Sequence, residues 1–219
     1  MWRELGEELW SGEEPGRLHG IAIPERTCVM RLEGGDLLVY APLALSDELR
    51  RELGAHGPVR HLLVPNLYRH PDLEPWARAF PGATVLGPRE LQQSHERGWE
   101  ADVDHHVFGG MPALQEVVLL HRRSRTLLLA DLACHVPDAA SLGVRLLLRL
   151  SFGGLELGPT RDVRWLVTDR RAAFRSLEVV LGWDFDRVVV RRGAVLQHGG
   201  KRALRRAYEW LEHEPAWWQ

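Results

Sequence analysis

The 219 residues carry 28 basic and 30 acidic side chains, a formal charge of -2, and 45% of the residues are hydrophobic. Such a chain is long enough to bury an ordinary core, and its balanced charge argues against general attraction to nucleic acid or to an acidic membrane surface. Two cysteines, Cys28 and Cys134, are too few for a disulfide framework or a thiolate zinc site, and neither stands in a C-x-x-C pair.

The N-terminal run MWRELGEELW is acidic and amphipathic. It lacks the basic start and apolar stretch of a signal peptide, and nothing in the chain has the length of a membrane span, so a cytoplasmic protein is expected. Strand-like runs at 26–33 and 36–41 flank Gly34-Gly35, a connection able to take the positive φ angles of a tight hairpin. Ser46 has the character of an N-cap, with Asp47 and Glu48 in the first turn, Leu49 and Leu53 on one face, and Gly54 and Gly57 as stops. The apolar run 59–64 is halted by Pro65, which suits a strand end, and a loop follows directly. Asp72 and Pro75 mark a helix start, Pro81-Gly82 a turn, 83–86 a strand, and Pro88 the opening of another helix.

EVVLLH at 116–121 and RTLLLAD at 125–131 read as a second hairpin ending on a carboxylate. An Arg/Leu-rich segment at 140–165 is broken by Gly153-Gly154 and Gly158-Pro159 into a short helix and an elbow, which makes it a candidate lid or dimer contact. Asp169 can cap a helix bearing Phe174, Leu177 and Leu181, and strand runs follow at 187–191 and 194–197. A last helix from about Lys201 to His213 places Leu204, Tyr208 and Leu211 on one stripe, and Trp217 and Trp218 end the chain. No linker or short-period repeat interrupts this order, so one domain spanning 1–219 is expected.

This order, with the phrases GPVRHLLVPN, HRRSRTLLLADLA and LGWDFDRVVV, resembles the metallo-β-lactamase superfamily, and within it a bacterial branch known as a domain of unknown function. The resemblance covers nearly the whole chain. It implies an α/β chain folded as a four-layer αββα sandwich, with two zinc or iron ions at one edge that activate water for hydrolysis of an ester, thioester or amide. The superfamily signature H-x-H-x-D-H gathers imidazoles and a carboxylate from one tight loop onto a common point.

Carried over position by position, the signature falls on N-L-Y-R-H-P: Asn66 and Tyr68 replace the first two histidines, His70 the aspartate and Pro71 the last histidine. The third-histidine loop falls near Gly110 and Met111, the bridging aspartate is kept as Asp131, and the final histidine becomes Arg192. Arginine keeps its proton and is no practical metal ligand. The pattern therefore implies a degenerate site with no cofactor, or at most one zinc or iron ion held by His70, Asp131 and His135. Without metal, Arg192 beside Asp131 would neutralise the carboxylate that a metal otherwise neutralises.

Three readings stay open on the sequence. The first is a small-molecule site for an anionic ligand in the old cleft, with Asp131 and His70 in catalytic positions and Asn66, Tyr68, Arg69 and Arg192 as binding residues. The second is an inactive scaffold that makes a homodimer or protein contact through 140–165 or the Trp-rich tail. The third is an ordinary metallohydrolase whose ligands are relocated to His105, His106, His121 or His135. No G-x-S-x-G elbow supports a serine nucleophile, and Cys134 reads as a small core residue.

Overall fold

A computed structural model describes residues 2–18, 21–68, 70–93, 98–136 and 156–212. Strands β1 (Arg3–Gly6), β2 (Leu9–Leu18), β3 (Ile21–Arg31) and β4 (Leu37–Tyr40) lead into helix α1 (Asp47–His56) and β5 (Val59–Leu63). Then come α2 (Leu73–Ala79), β6 (Thr84–Leu86), α3 (Pro88–Gln93), β7 (Val103–Val107), β8 (Val117–His121) and β9 (Thr126–His135). Helices α4 (Arg161–Trp165) and α5 (Arg170–Gly182), strand β10 (Arg187–Gly193), helix α6 (Gly200–Ala207) and a 3₁₀ turn at Glu209–Leu211 complete the order.

The strands form one curled sheet in the order β6-β5-β4-β3-β10-β9-β8-β7, with β2 along β3 and β1 along β2. β3 is the pivot: its Cys28–Arg31 stretch pairs with β4, whereas Glu25 pairs with Arg192 of β10. Each arm of the sheet leaves β3 from a different half of that strand, so the two arms lie face to face.

Strand alternation sorts the side chains into layers. Cys28, Met30, Leu38 and Tyr40 of one arm meet Val117, Leu119, Leu128, Ala130 and Val189 of the other in an inner core. The intervening residues Val29, Leu37 and Val39 face outward onto Leu53 of α1 and Trp76 of α2. On the other side Val118, Leu120, Leu127, Leu129, Val188 and Val190 pack under Leu177 and Val180 of α5 and Leu204 of α6. Because both faces of the central strands are buried, the result is the four-layer αββα sandwich expected from the resemblance.

Several expected elements are present with local differences. Ser46 caps α1 by accepting from the Leu49 amide at 3.1 Å, and Asp169 caps α5 by accepting from Ala172 at 2.9 Å. Helix α1 runs through Gly54 and stops at Gly57, where a side chain would strike the Gly35 carbonyl. The first hairpin is wider than a two-residue turn: β3 ends at Arg31, β4 starts at Leu37, and only Gly35 of the glycine pair has positive φ. Residues 194–197 make an isolated bridge from Leu196 to Val188 instead of a strand, and the last helix gives way to the 3₁₀ turn.

The amphipathic N-terminal segment is a strand pair. Leu5 and Leu9 enter the inner core while Trp2 and Trp10 cover the outer one. Residues 140–155 of the Arg/Leu-rich segment, Arg69, and the tail with Trp217 and Trp218 lie outside the described residues. Among the described residues no helix is long and apolar enough to cross a membrane.

Candidate functional site

Topology brings five chain segments to one edge of the sandwich. β9 and β10 run parallel, so their carboxyl ends Asp131–His135 and Arg191–Gly193 lie together. β8 is antiparallel to β9, which returns Glu116 to the same edge, and antiparallel β3 brings Glu25 opposite Arg192. The loop after β5 is drawn in as well: the Leu67 amide donates to Leu114 at 3.0 Å, and the Val117 amide donates to Pro65 at 2.6 Å.

A large bulge in β9 sets the geometry. Val190 of β10 faces Leu129, but Arg192 faces Cys134, so two steps on β10 (190 to 192) span five on β9 (129 to 134). The extra residues curl so that three successive amides, from Ala130, Asp131 and Leu132, point at the carboxylate of Glu116 at 2.8, 2.7 and 3.0 Å. Consecutive amides converging on one acceptor make a backbone nest, a conformation that a regular strand cannot offer. From the other side Tyr208 donates its hydroxyl to the Leu132 carbonyl at 2.7 Å. Burial, with the Asp131 carboxylate next, pushes the Glu116 carboxyl up to about 8, against the pull of the three amides.

Held this way, each oxygen of Asp131 meets a protein donor. Arg192 Nη1 contacts Oδ1, the Asn66 amide donates to Oδ2 at 2.7 Å, and Arg191 Nη1 lies 4.0 Å from Oδ2. Glu25 completes a square, 3.2 Å from Arg191 and 3.4 Å from Arg192. Two carboxylates and two guanidinium groups thus balance at the strand ends. Burial alone would lower the Arg192 guanidinium, but Asp131 and Glu25 outweigh it and leave its pKa raised. Buried Arg26 fixes the end of β10 by donating to the carbonyls of Val190 at 3.1 Å and Gly193 at 2.9 Å.

His70 does not bond Asp131 directly. Its Nε2 lies 3.2 Å from both the backbone and side-chain oxygens of Asn66, two acceptors that place the proton on Nε2. The Asn66 orientation is consistent, since its Oδ1 also accepts from the Tyr68 amide at 3.1 Å. Burial first, then Arg191, lowers the His70 pKa, and its Nδ1 is buried without a partner among the described residues.

A small cleft with about 30 Å³ of free space opens beside Asp131, lined by Tyr68, Asp131, Cys134, Thr160, Asp162 and Arg192 with Ala130, Ala133 and Val163 between them. Burial pushes the Cys134 thiol up to about 11, and the Asp162 carboxylate adds to it. Burial, then Asp131 and Asp162, raises the Tyr68 phenol.

The structure thus joins Asn66, Tyr68, Asp131 and Arg192, with His70 behind Asn66. His135 is set apart, with Nδ1 donating to the Ala194 carbonyl at 3.0 Å, so His70, Asp131 and His135 do not form the three-ligand set. His105 and His106 are neighbours on β7, with β8 between that strand and β9. His121 is buried at the far end of β8, its Nδ1 2.7 Å from Ser124 Oγ, and burial pulls its pKa down to about 4.

Among the described residues no group of three or more His, Cys, Asp or Glu side chains is placed to hold a metal ion. The donor chemistry agrees: zinc and iron need three or four lone pairs on one point, whereas an amide nitrogen and a guanidinium face Asp131 here. These residues do not fit a zinc or iron centre. Sequence reasoning missed Glu116, Glu25, Arg191, Thr160 and Asp162. A lone acid before the apolar VVLLH run and the tandem arginines closing VVVRR were available signals for two of them.

The profile of a domain of unknown function, DUF4336, matches residues 6–89. No curated protein matches the chain. Among solved structures, a metal-soaked Flv1 flavodiiron core from Synechocystis sp. PCC6803 is similar with TM-score 0.64 and 10% identity, covering 99% of this chain. This chain spans only 62% of that structure's length. A metallo-beta-lactamase from Pontibacter korlensis has TM-score 0.59 and 13% identity, covering 98% of this chain and 99% of its own. A metallo-beta-lactamase from Erythrobacter litoralis, with beta mercaptoethanol in its active site, has TM-score 0.62 and 14% identity, covering 96% and 95%. At such identities the likeness establishes the fold alone.

Proposed function

We propose that this chain, which has the metallo-β-lactamase fold, is a metal-independent binding protein for a small molecule that enters the cleft between Tyr68, Thr160, Asp162 and Arg192. The observation that carries this reading is the state of Asp131, whose two oxygens are taken by Arg192 and Asn66. A metal ion would have to displace a guanidinium that Glu25 also holds. The cleft is small, and its lining offers phenol, hydroxyl, carboxylate and guanidinium groups around alanine and valine.

Hydrolysis of an ester, thioester or amide finds less support. A thiol pushed up to about 11 is almost wholly protonated at neutral pH. The Tyr68 phenol is raised too, and His70 is not part of the cleft lining.

The test has two arms. Full-length protein is incubated with Zn²⁺ or Fe²⁺, desalted, and its metal content measured. Substoichiometric metal is expected, whereas one or two retained ions lost on Asp131→Ala would overturn the metal-free reading. A fragment library is then titrated under NMR observation; shifts gathered at Tyr68, Thr160 and Asp162 support the cleft, and their absence sinks it.

A further inference from the structure

We infer that the outer face of the α4–α5–α6 layer is a docking surface for single-stranded nucleic acid, held through its phosphates without regard to sequence. The total charge of -2 conceals an uneven distribution. Helices α4, α5 and α6 carry nine basic residues against two acidic ones, Asp162 and Glu178. Helices α1, α2 and α3, on the other side of the sandwich, carry four against five. One helical layer is therefore strongly positive and the other close to neutral.

The positive charge is placed to meet a partner. α5 and α6 pack beside one another and turn Leu177, Val180 and Leu204 to the core. That leaves Arg171, Arg175, Arg202, Arg205 and Arg206 exposed on the outside. Among the described residues only Arg206 of these five has a carboxylate partner, Glu156 at 3.5 Å, and that pair is itself exposed. Helix stability alone would arrange these charges otherwise. Arg171 with Arg175 and Arg202 with Arg206 are like-charge pairs at i,i+4, and Arg171 and Arg202 stand in first turns, where the macrodipole favours acids. α1 shows the favourable arrangement, with Asp47 and Glu48 in its first turn. An external polyanion offsets the repulsion that α5 and α6 leave uncompensated.

The chemistry of the face selects the partner. Its exposed large hydrophobic side chains are Trp165 and Val179. Protein interfaces centre on buried apolar and aromatic residues with charge depleted, and helices that lie on a bilayer need a broad apolar face. Neither suits a surface this rich in cations. Nucleic-acid interfaces are polar and strongly positive, and guanidinium groups fork onto phosphate oxygens. Trp165, 82% exposed, adds a plane on which an unpaired base can stack. It adjoins the arginines because Arg164 of α4 and Arg170 of α5 both lie over the Trp210 ring, at 5.4 and 5.5 Å, which ties the end of α4 to the start of α5. None of the five exposed arginines lines the cleft beside Asp131, so the two sites stand or fall separately.

The experiment follows the fluorescence anisotropy of a labelled oligouridine titrated with the full chain. With about five phosphates neutralised, affinity should fall about a hundredfold between about 50 and 200 mM KCl. Arg202→Gln combined with Arg205→Gln should weaken binding at low salt and reduce that fall to about twentyfold, because about three contacts remain. Trp165→Ala should weaken binding about fivefold or more and leave the salt dependence unchanged. Arg50→Gln combined with Arg51→Gln, on α1, should bind as wild type does. All five side chains are exposed, and thermal unfolding checks that each variant keeps its fold. Absence of saturable binding at low salt, or an equal loss from the α1 variant, would overturn the inference. Trp165→Ala without effect would overturn the assignment to single strands, and sedimentation with phosphatidylserine vesicles but no binding of the oligouridine would overturn the choice of nucleic acid.

Discussion

Substituting Arg192 by alanine tests the central claim that a guanidinium, and not a metal, holds Asp131. In the variant Asp131, whose side chain is 3% exposed, keeps one amide donor at 2.7 Å and the Arg191 guanidinium at 4.0 Å. Breaking a fully buried ion pair costs about 3–5 kcal/mol, chiefly because the abandoned charge stays buried. Arg192 keeps 24% of its side-chain exposure and Arg191 can move closer, which brings the expected loss down to about 2 kcal/mol. In a chain of this size that corresponds to a fall in Tm of about 4–8 °C. Urea unfolding of wild type, Arg192→Ala, Asp131→Asn and the double variant measures both the loss and the coupling. The double variant should be more stable than the sum of the two single losses predicts, because removing the carboxylate's charge removes the cost of leaving it alone. A loss below about 0.5 kcal/mol in Arg192→Ala, or losses that simply add, would refute the reasoning.

pH dependence follows from Glu116 and His121. Glu116, raised to about 8 when folded, binds a proton that the unfolded chain has released, so its contribution to stability declines as pH rises from about 4.5 to 8. His121, lowered to about 4, does the reverse and costs stability as pH falls from about 6.5 to 4. Between about 6.5 and 8 only the Glu116 slope of this pair remains, and urea titrations should show wild type losing stability there at no more than about 1.4 kcal/mol per pH unit. Glu116→Gln, though weaker overall because its amide nitrogen cannot accept from the nest, should lose that slope; an unchanged slope would reassign it. Gly193→Ala should destabilise by about 2–4 kcal/mol in thermal unfolding, since Gly193 has φ +111° and an added Cβ strikes the His135 backbone. Replacing Asn66, Tyr68 and Arg192 together by histidine should create a Co²⁺ site visible by d–d absorption, with Asp131 as fourth ligand. Asn66→His alone should not, because Arg192 still occupies the carboxylate; cobalt binding by that single variant would count against the substitution logic.

The layered fold was legible because its signals are local. Cys28 to Arg31 and Leu37 to Tyr40 read as paired strands around glycines, Ser46 and Asp169 announced their helices through the oxygen each caps with, and Pro65 marked the end of β5. The N-terminal strands were not, since Trp2, Leu5 and Leu9 recur at a spacing that suits a helix face as well as a twisted ribbon. Their partner is β3, a pairing that only the closed sheet reveals.

The site divides along the same line. Asn66, Tyr68, Asp131 and Arg192 could be named because a motif fixes their positions in the chain, whereas Glu25, Arg191 and Glu116 join them through strand register. Glu25 meets Arg192 across an antiparallel pair separated by 167 residues, and Glu116 finds its amides only because β9 bulges. That bulge bears on how the site is maintained. A nest of amides around a buried carboxyl fixes the backbone of Asp131 without any metal. Glu116 and Tyr208 hold the strand from either side, so the geometry that presents Asp131 is set by the backbone and not by its side-chain partners. Charge balance completes the edge: Asp131 is buried and Glu25 half-buried beside it, and the adjacent arginines Arg191 and Arg192 at the end of β10 supply the two matching cations.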